Sequence, residues 1–197
     1  KAEKTDLGDT EMSHLLVLET MVMVKDETIG DLEISKKVTN DSSDNKFEDE
    51  EFKFDVKLYE TVKNGDGTEL KKPVSGDFAC VIKSSGADDE EQTVTFDTDG
   101  KAVLTLKTGQ SILIQDLPAG AEYEVVEKAA DYWNVSSSKD GAAYMDKKTV
   151  TGTVPQPADD GSKRKSTAAY NNTYSPEAAK LSIPVEKKFN AWNDEAF

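Results

Sequence analysis

The amino-acid sequence predicts an all-β protein built as a two-layer sandwich, and three observations carry that expectation. Apolar residues recur with a period of two, the runs are short, and Gly, Asp and Pro turns separate them. No segment sustains a helical period between caps, so many short strands packed in two layers are the expected solution. Leu32, Ile34, Lys36 and Val38 share one face of the first strand, and Phe52, Phe54, Val56 and Leu58 one face of the second. Phe78, Cys80 and Ile82 mark a third, and Val94 and Phe96 a fourth. Asp97-Thr98-Asp99-Gly100 then reads as a hairpin turn, since Asp and Gly tolerate positive φ. Ala102, Leu104 and Leu106 follow, then Ile112 and Ile114, then the Leu117-Pro118-Ala119-Gly120 turn. Tyr123, Val125 and Glu127 alternate beyond it, Val150 and Val154 mark a short strand, and Ala168, Tyr170, Asn172 and Tyr174 close the series before Pro176.

Composition excludes several classes of function. The 197 residues carry 24 Lys+Arg against 39 Asp+Glu, a net charge of −15. Phosphate backbones and anionic membrane surfaces would be repelled, so neither a nucleic acid nor a membrane is an expected partner of this chain. The longest apolar stretch, Leu15-Leu16-Val17-Leu18, ends at Glu19, far short of the roughly 20 residues that cross a bilayer. Lys1 opens a polar segment rather than a leader, so the chain reads as a mature protein or an excised piece. One Cys and one His allow no internal disulfide and no His-rich metal site. Cys80 lies in an apolar run and reads as a small buried hydrophobe; His14 reads as a surface or strand-edge imidazole. The Asp97 turn lacks an acid at the first position of an EF-hand, where Thr95 stands. Neither a cofactor nor a metal is called for.

Three stretches read as solvated loops: Asp41 to Glu51 with six acids, Asp88 to Glu91, and Pro155 to Lys165. Domain limits follow from the punctuation. Residues 1–30 form an N-terminal segment whose run Leu15 to Val24, apolar on both faces, reads as a strand of a preceding module. Residues 31–176 form the main domain. In residues 177–197, Leu181, Ile183, Val185 and Lys187 repeat the pattern of Leu32, Ile34, Lys36 and Val38, as the start of a following, truncated module would.

Three inward positions of the sandwich are wrong for a core. Lys36 is in phase with Leu32, Ile34 and Val38, Glu127 with Tyr123 and Val125, and Asn172 with Tyr170 and Tyr174. Burying an isolated charge costs several kcal/mol, so three such groups need a common arrangement. The plainer arrangement is a buried Lys36–Glu127 ion pair with Asn172 hydrogen-bonded nearby.

The residues around these positions resemble a known family. The run Leu32-Glu33-Ile34-Ser35-Lys36-Lys37-Val38-Thr39 resembles the opening strand of Cna B-type domains, the streptococcal pilin isopeptide-linkage domains of Gram-positive surface proteins. The stretch Leu106 to Glu127 is similar to their middle motif, with its Gly109-Gln110-Ser111 turn, its Leu117-Pro118-Ala119-Gly120 turn and its Tyr123-x-Val125-x-Glu127 strand. Tyr170-Asn171-Asn172-Thr173-Tyr174 resembles their closing strand. The resemblance runs from about Gly30 to Ser175 and implies an immunoglobulin-like β-sandwich. It also implies an intramolecular isopeptide bond in which Lys36 joins Asn172 with the assistance of Glu127. Strand parity chooses Lys36 over Lys37, Asn172 over Asn171 and Glu127 over Glu124. The chemistry suits burial, which lowers a lysine pKa and raises a glutamate pKa. A neutral amine attacks the amide carbon, a protonated carboxyl polarises the amide and shuttles protons, and folding supplies the proximity.

What the resemblance implies is a structural stalk or shaft module of a cell-wall-anchored pilin or adhesin outside the cell. Its partners would be neighbouring modules or pilin subunits of the same surface protein. The alternative is an adhesin module whose loops, such as Asn134 to Asp146, grip a host protein or glycan, with Tyr132 and Trp133 stacking on a sugar. Turnover chemistry is not expected: no triad, phosphate loop or metal cluster is present, and the single coupling event would be maturation.

Overall fold

The structure, a computed structural model, describes residues 28–39 and 47–175. His14, the run Leu15 to Val24, Lys187 and the expected second module lie outside these residues. The described chain is eleven strands with no helix: β1 (Ile29–Thr39), β2 (Phe52–Lys63), β3 (Glu69–Pro73), β4 (Gly76–Ser84), β5 (Glu90–Phe96), β6 (Lys101–Leu106), β7 (Gln110–Pro118), β8 (Glu122–Lys128), β9 (Trp133–Lys139), β10 (Thr149–Thr153) and β11 (Lys165–Tyr174).

Two sheets form the sandwich. One runs in the order β5-β4-β7-β1-β11-β9; the other runs β10-β8-β2-β3, with β6 also paired to β2. The first and last strands lie side by side and parallel, Lys36 opposite Tyr170 and Val38 opposite Asn172. The other pairings are antiparallel. The parallel pair needs no direct connection, because the whole domain is the crossover between its two strands. It also sends the chain in at one end of the sandwich and out at the other.

The period-two faces read from the sequence become the core. Leu32, Ile34, Phe54, Val56, Leu58, Leu106, Ile114, Tyr123, Val125 and Tyr170 are all essentially inaccessible to water. Within the described residues, each of the strands expected from apolar alternation is present. Asp97 to Gly100 makes the expected turn, with Asp97 Oδ1 accepting from the Asp99 and Lys101 amides. It does not close a hairpin, however: β5 and β6 belong to different sheets, so the turn carries the chain across the sandwich. Gly100 is required there, because its φ is +70° and a side chain would run into the Leu58 carbonyl.

Two strands lack the expected signal. β3 has no apolar alternation, because the β2–β3 hairpin projects beyond the core and both of its faces meet water. Its cross-strand pair Val62 and Leu70 is exposed. β9 occupies the start of the stretch expected as a loop from Asn134 to Asp146; its inward positions are Trp133, Val135 and Ser137, and the serines mask the alternation. The acidic run Asp88 to Glu91 is likewise part strand, since β5 begins at Glu90 and lies at a sheet edge where acids stay solvated.

Candidate functional site

The three polar positions that parity turns inward meet in the core. Lys36 sits on β1, Asn172 on the adjacent β11, and Glu127 on β8 in the facing sheet. Their relative exposures are 2%, 0% and 1%. The neighbours that parity rejected, Lys37, Asn171 and Glu124, are exposed or half-buried.

The geometry converges on one atom. Lys36 Nζ donates to Glu127 Oε1 at 2.8 Å, and Asn172 Nδ2 donates to the same oxygen at 2.6 Å. Amine and amide are thus gathered on a single carboxylate oxygen. Two other buried oxygens of the cluster, Glu127 Oε2 and Asn172 Oδ1, have no hydrogen-bond partner. An unpaired buried polar atom costs about 1–3 kcal/mol, so this arrangement carries unused bonding capacity at its centre.

Aromatic rings close the site. Lys36 Nζ lies 4.1 Å from the centroid of the Phe52 ring. Phe52 packs edge-on against Trp133 and Phe54 against Tyr170. Exclusion of water has the expected electrostatic result: burial lowers the Lys36 pKa from 10.5 to about 8, against the opposing pull of the Glu127 charge and hydrogen bond. Near that pH a large share of the amine is neutral and nucleophilic.

A second polar group crosses the sandwich nearer the end where the chain enters, with Tyr123 and Ser166 buried and Asp140 at the surface, and nothing in the sequence pattern points to it as a unit. Tyr123 of β8 shares a 2.6 Å hydrogen bond with Ser166 of β11, and Ser166 Oγ donates to Asp140 Oδ1 at 2.8 Å. Asp140, at φ +49°, also accepts from the Thr167 amide at 2.7 Å. The only local signal is the Asp140-Gly141 dipeptide, which marks a turn. Opposite, Gly152 leaves room for the Tyr123 hydroxyl; a side chain there would collide with it.

The remaining candidates take structural places. Cys80 is buried in the core, and desolvation raises its thiol pKa, which suits the hydrophobe reading. Trp133 is 4% exposed and packs on Phe47, Phe52 and Tyr174, so it has no face free to stack on a sugar.

Fold and site together define a class: a two-sheet sandwich whose parallel first and last strands hold a lysine and an asparagine around a buried glutamate. The chain belongs to the family described as a domain of unknown function, DUF7601, which matches residues 30–174. It is 39% identical over 105 residues to the pilus tip adhesin Cpa of Streptococcus pyogenes, a match covering 53% of this chain and 12% of that protein. A solved structure of the pilus-presented adhesin Spy0125 (Cpa) superimposes with a TM-score of 0.53 at 23% identity, over 76% of this chain and 28% of that one. The chain therefore spans a small part of the relatives it matches. These similarities bear out the Cna B-type resemblance and the immunoglobulin-like sandwich that it implied.

Proposed function

We propose that residues 31–176 are a structural module of a Gram-positive pilin or adhesin, hardened by a spontaneous Lys36–Asn172 isopeptide bond that Glu127 promotes. Kinship with a pilus tip adhesin supports the setting outside the cell, anchored to the wall, with neighbouring modules or pilin subunits as partners. The observation that carries the chemistry is the shared acceptor: amine and amide both bond to Glu127 Oε1 inside a dry core.

A proton passed from Lys36 Nζ to Glu127 along their 2.8 Å hydrogen bond leaves a neutral amine and a neutral carboxyl. A half-turn of the Asn172 amide then exchanges Nδ2 for Oδ1. This puts Oδ1 beside the protonated carboxyl, which donates to it, and gives the orphaned oxygen a partner. Lys36 Nζ attacks Asn172 Cγ; the C–Nδ2 bond breaks; the proton lost by the amine passes through Glu127 to the leaving nitrogen, which departs as ammonia. Fixed proximity can lower such a barrier by roughly 7–11 kcal/mol. The event happens once per molecule, so the module is not an enzyme in the sense of turnover.

Joined in this way, β1 and β11 would carry tension straight from Lys36 to Asn172 and leave the intervening chain unloaded. Intact-mass measurement with tandem mass spectrometry tests the bond. The purified chain should be one ammonia short, with a branched peptide joining Lys36 and Asn172, and Glu127→Ala should restore the full mass. A full-mass native chain with both side chains unmodified overturns the proposal.

A further inference from the structure

The geometry points to Tyr170 as the positioning residue that sets the register between the two sheets for the Lys36–Asn172 coupling; this rests on the covalent reading above. Lys36 and Asn172 share a sheet, and the backbone ladder of β1 and β11 fixes their relation. Glu127 belongs to the other sheet, and no backbone hydrogen bond ties it to them. Apolar contact between sheets is non-directional and leaves sliding along the strands weakly specified. A reacting group misplaced by about 1 Å can lose a hundredfold in rate, so something directional must hold β8 against β11.

Tyr170 touches the surroundings of all three residues. It stands opposite Lys36 in the β1–β11 register and two residues before Asn172 on β11. Its hydroxyl donates to the Val125 carbonyl at 2.7 Å, two residues before Glu127 on β8. Its ring packs edge-on at 5.1 Å against Phe54, which is itself the β2 partner of Glu127. The hydroxyl thus pins β8 to β11 one inward step from the point where Glu127 must meet Asn172. Val125 to Tyr170 and Glu127 to Asn172 are consecutive inward pairs along strands that advance in the same sense. A phenylalanine would fill the same space and keep the ring contact while removing the directional tie nearest to Glu127, leaving the Tyr123–Ser166 bond farther along the strands. Tyr170 therefore acts through Glu127 and Asn172 and takes no part in bond making.

The test compares Tyr170→Phe with Tyr123→Phe, which deletes the other buried hydroxyl bridging β8 and β11. Each chain is taken from inclusion bodies directly into denaturant before it has folded, its full mass confirmed, then refolded and sampled over time for the Lys36–Asn172 branched peptide, with rates taken per folded chain from near-ultraviolet circular dichroism. Tyr170→Phe should couple at least tenfold more slowly than the native chain, and Tyr123→Phe within twofold of it. Across a pH series, the plateau rate of Tyr170→Phe should fall while the midpoint, set by Lys36, stays in place. Coupling of Tyr170→Phe at the native rate overturns the assignment. So does equal slowing of both variants, which would mark a general loss of packing. If the native chain itself yields no branched peptide, the covalent reading falls first and takes the assignment with it.

Discussion

Two polar clusters cross this sandwich, one wholly buried and one ending at the surface in Asp140, and they are built on opposite principles. Tyr123, Ser166 and Asp140 form a chain in which each side-chain contact has a partner, and the carboxylate is further satisfied by the Thr167 amide. Lys36, Glu127 and Asn172 instead crowd two donors onto one oxygen and leave two others idle. A satisfied network is a fastener, whereas a half-satisfied one is expensive to keep and marks chemistry or strain. The contrast separates a structural tie from the site proposed to react, with the same two strands, β8 and β11, serving both.

That contrast can be broken by removing one cluster at a time. The largest effect should come from Asn172→Ala, which would prevent the proposed cross-link. Losing closure of so long a loop costs about 5 kcal/mol in the chain-entropy picture. For a domain of this size that lowers the melting temperature by roughly 10–20 °C, readable by calorimetry. A drop of only a few degrees would place the reactive cluster on the same footing as the fastener.

A pH series on the same variant sharpens the comparison. Lys36 keeps its amine there, and its folded pKa of about 8 lies below the ordinary 10.5. Between those values the unfolded chain binds more protons than the folded one, so stability should rise with pH across that window. In a native chain whose Lys36 had become an amide, as proposed, this contribution would be absent. Urea midpoints from pH 7.5 to 10 read the difference. The smallest effect belongs to the fastener. Tyr123→Phe should cost about 1 kcal/mol, the net worth of one hydrogen bond, and leave the yield of branched peptide unchanged.

The sequence made the strands and the three inward polar residues legible for one reason: a period of two assigns a side to every residue of a half-buried strand. Lys36, Glu127 and Asn172 could be picked from their neighbours Lys37, Glu124 and Asn171 on parity alone. Parity says nothing of which strands are neighbours. The parallel β1–β11 pair, the passage of the chain between sheets at Asp97 to Gly100, and the contact of Tyr170 with Val125 depend on tertiary packing. β3 was invisible because a ribbon wet on both faces needs no apolar residue on either. β9 was hidden because Ser137 takes an inward, buried place where the pattern calls for an apolar residue. Ser166 and Asp140 gave no warning, since a serine in a strand and an aspartate before a glycine are ordinary on any surface.

Among the described residues, the projecting β2–β3 hairpin is the longest open stretch: every residue from Thr61 to Pro73 is exposed. The Asn64-Gly65-Asp66-Gly67 tip is open to a protease. With Lys36 and Asn172 joined, a cut there leaves two fragments, one ending at the tip and carrying Lys36, the other beginning at it and carrying Asn172. They stay on one covalent thread. Severing that thread inside the loop is impossible with any single cleavage between residues 37 and 171, so a joined domain could be nicked at its most open place and still be one covalent piece.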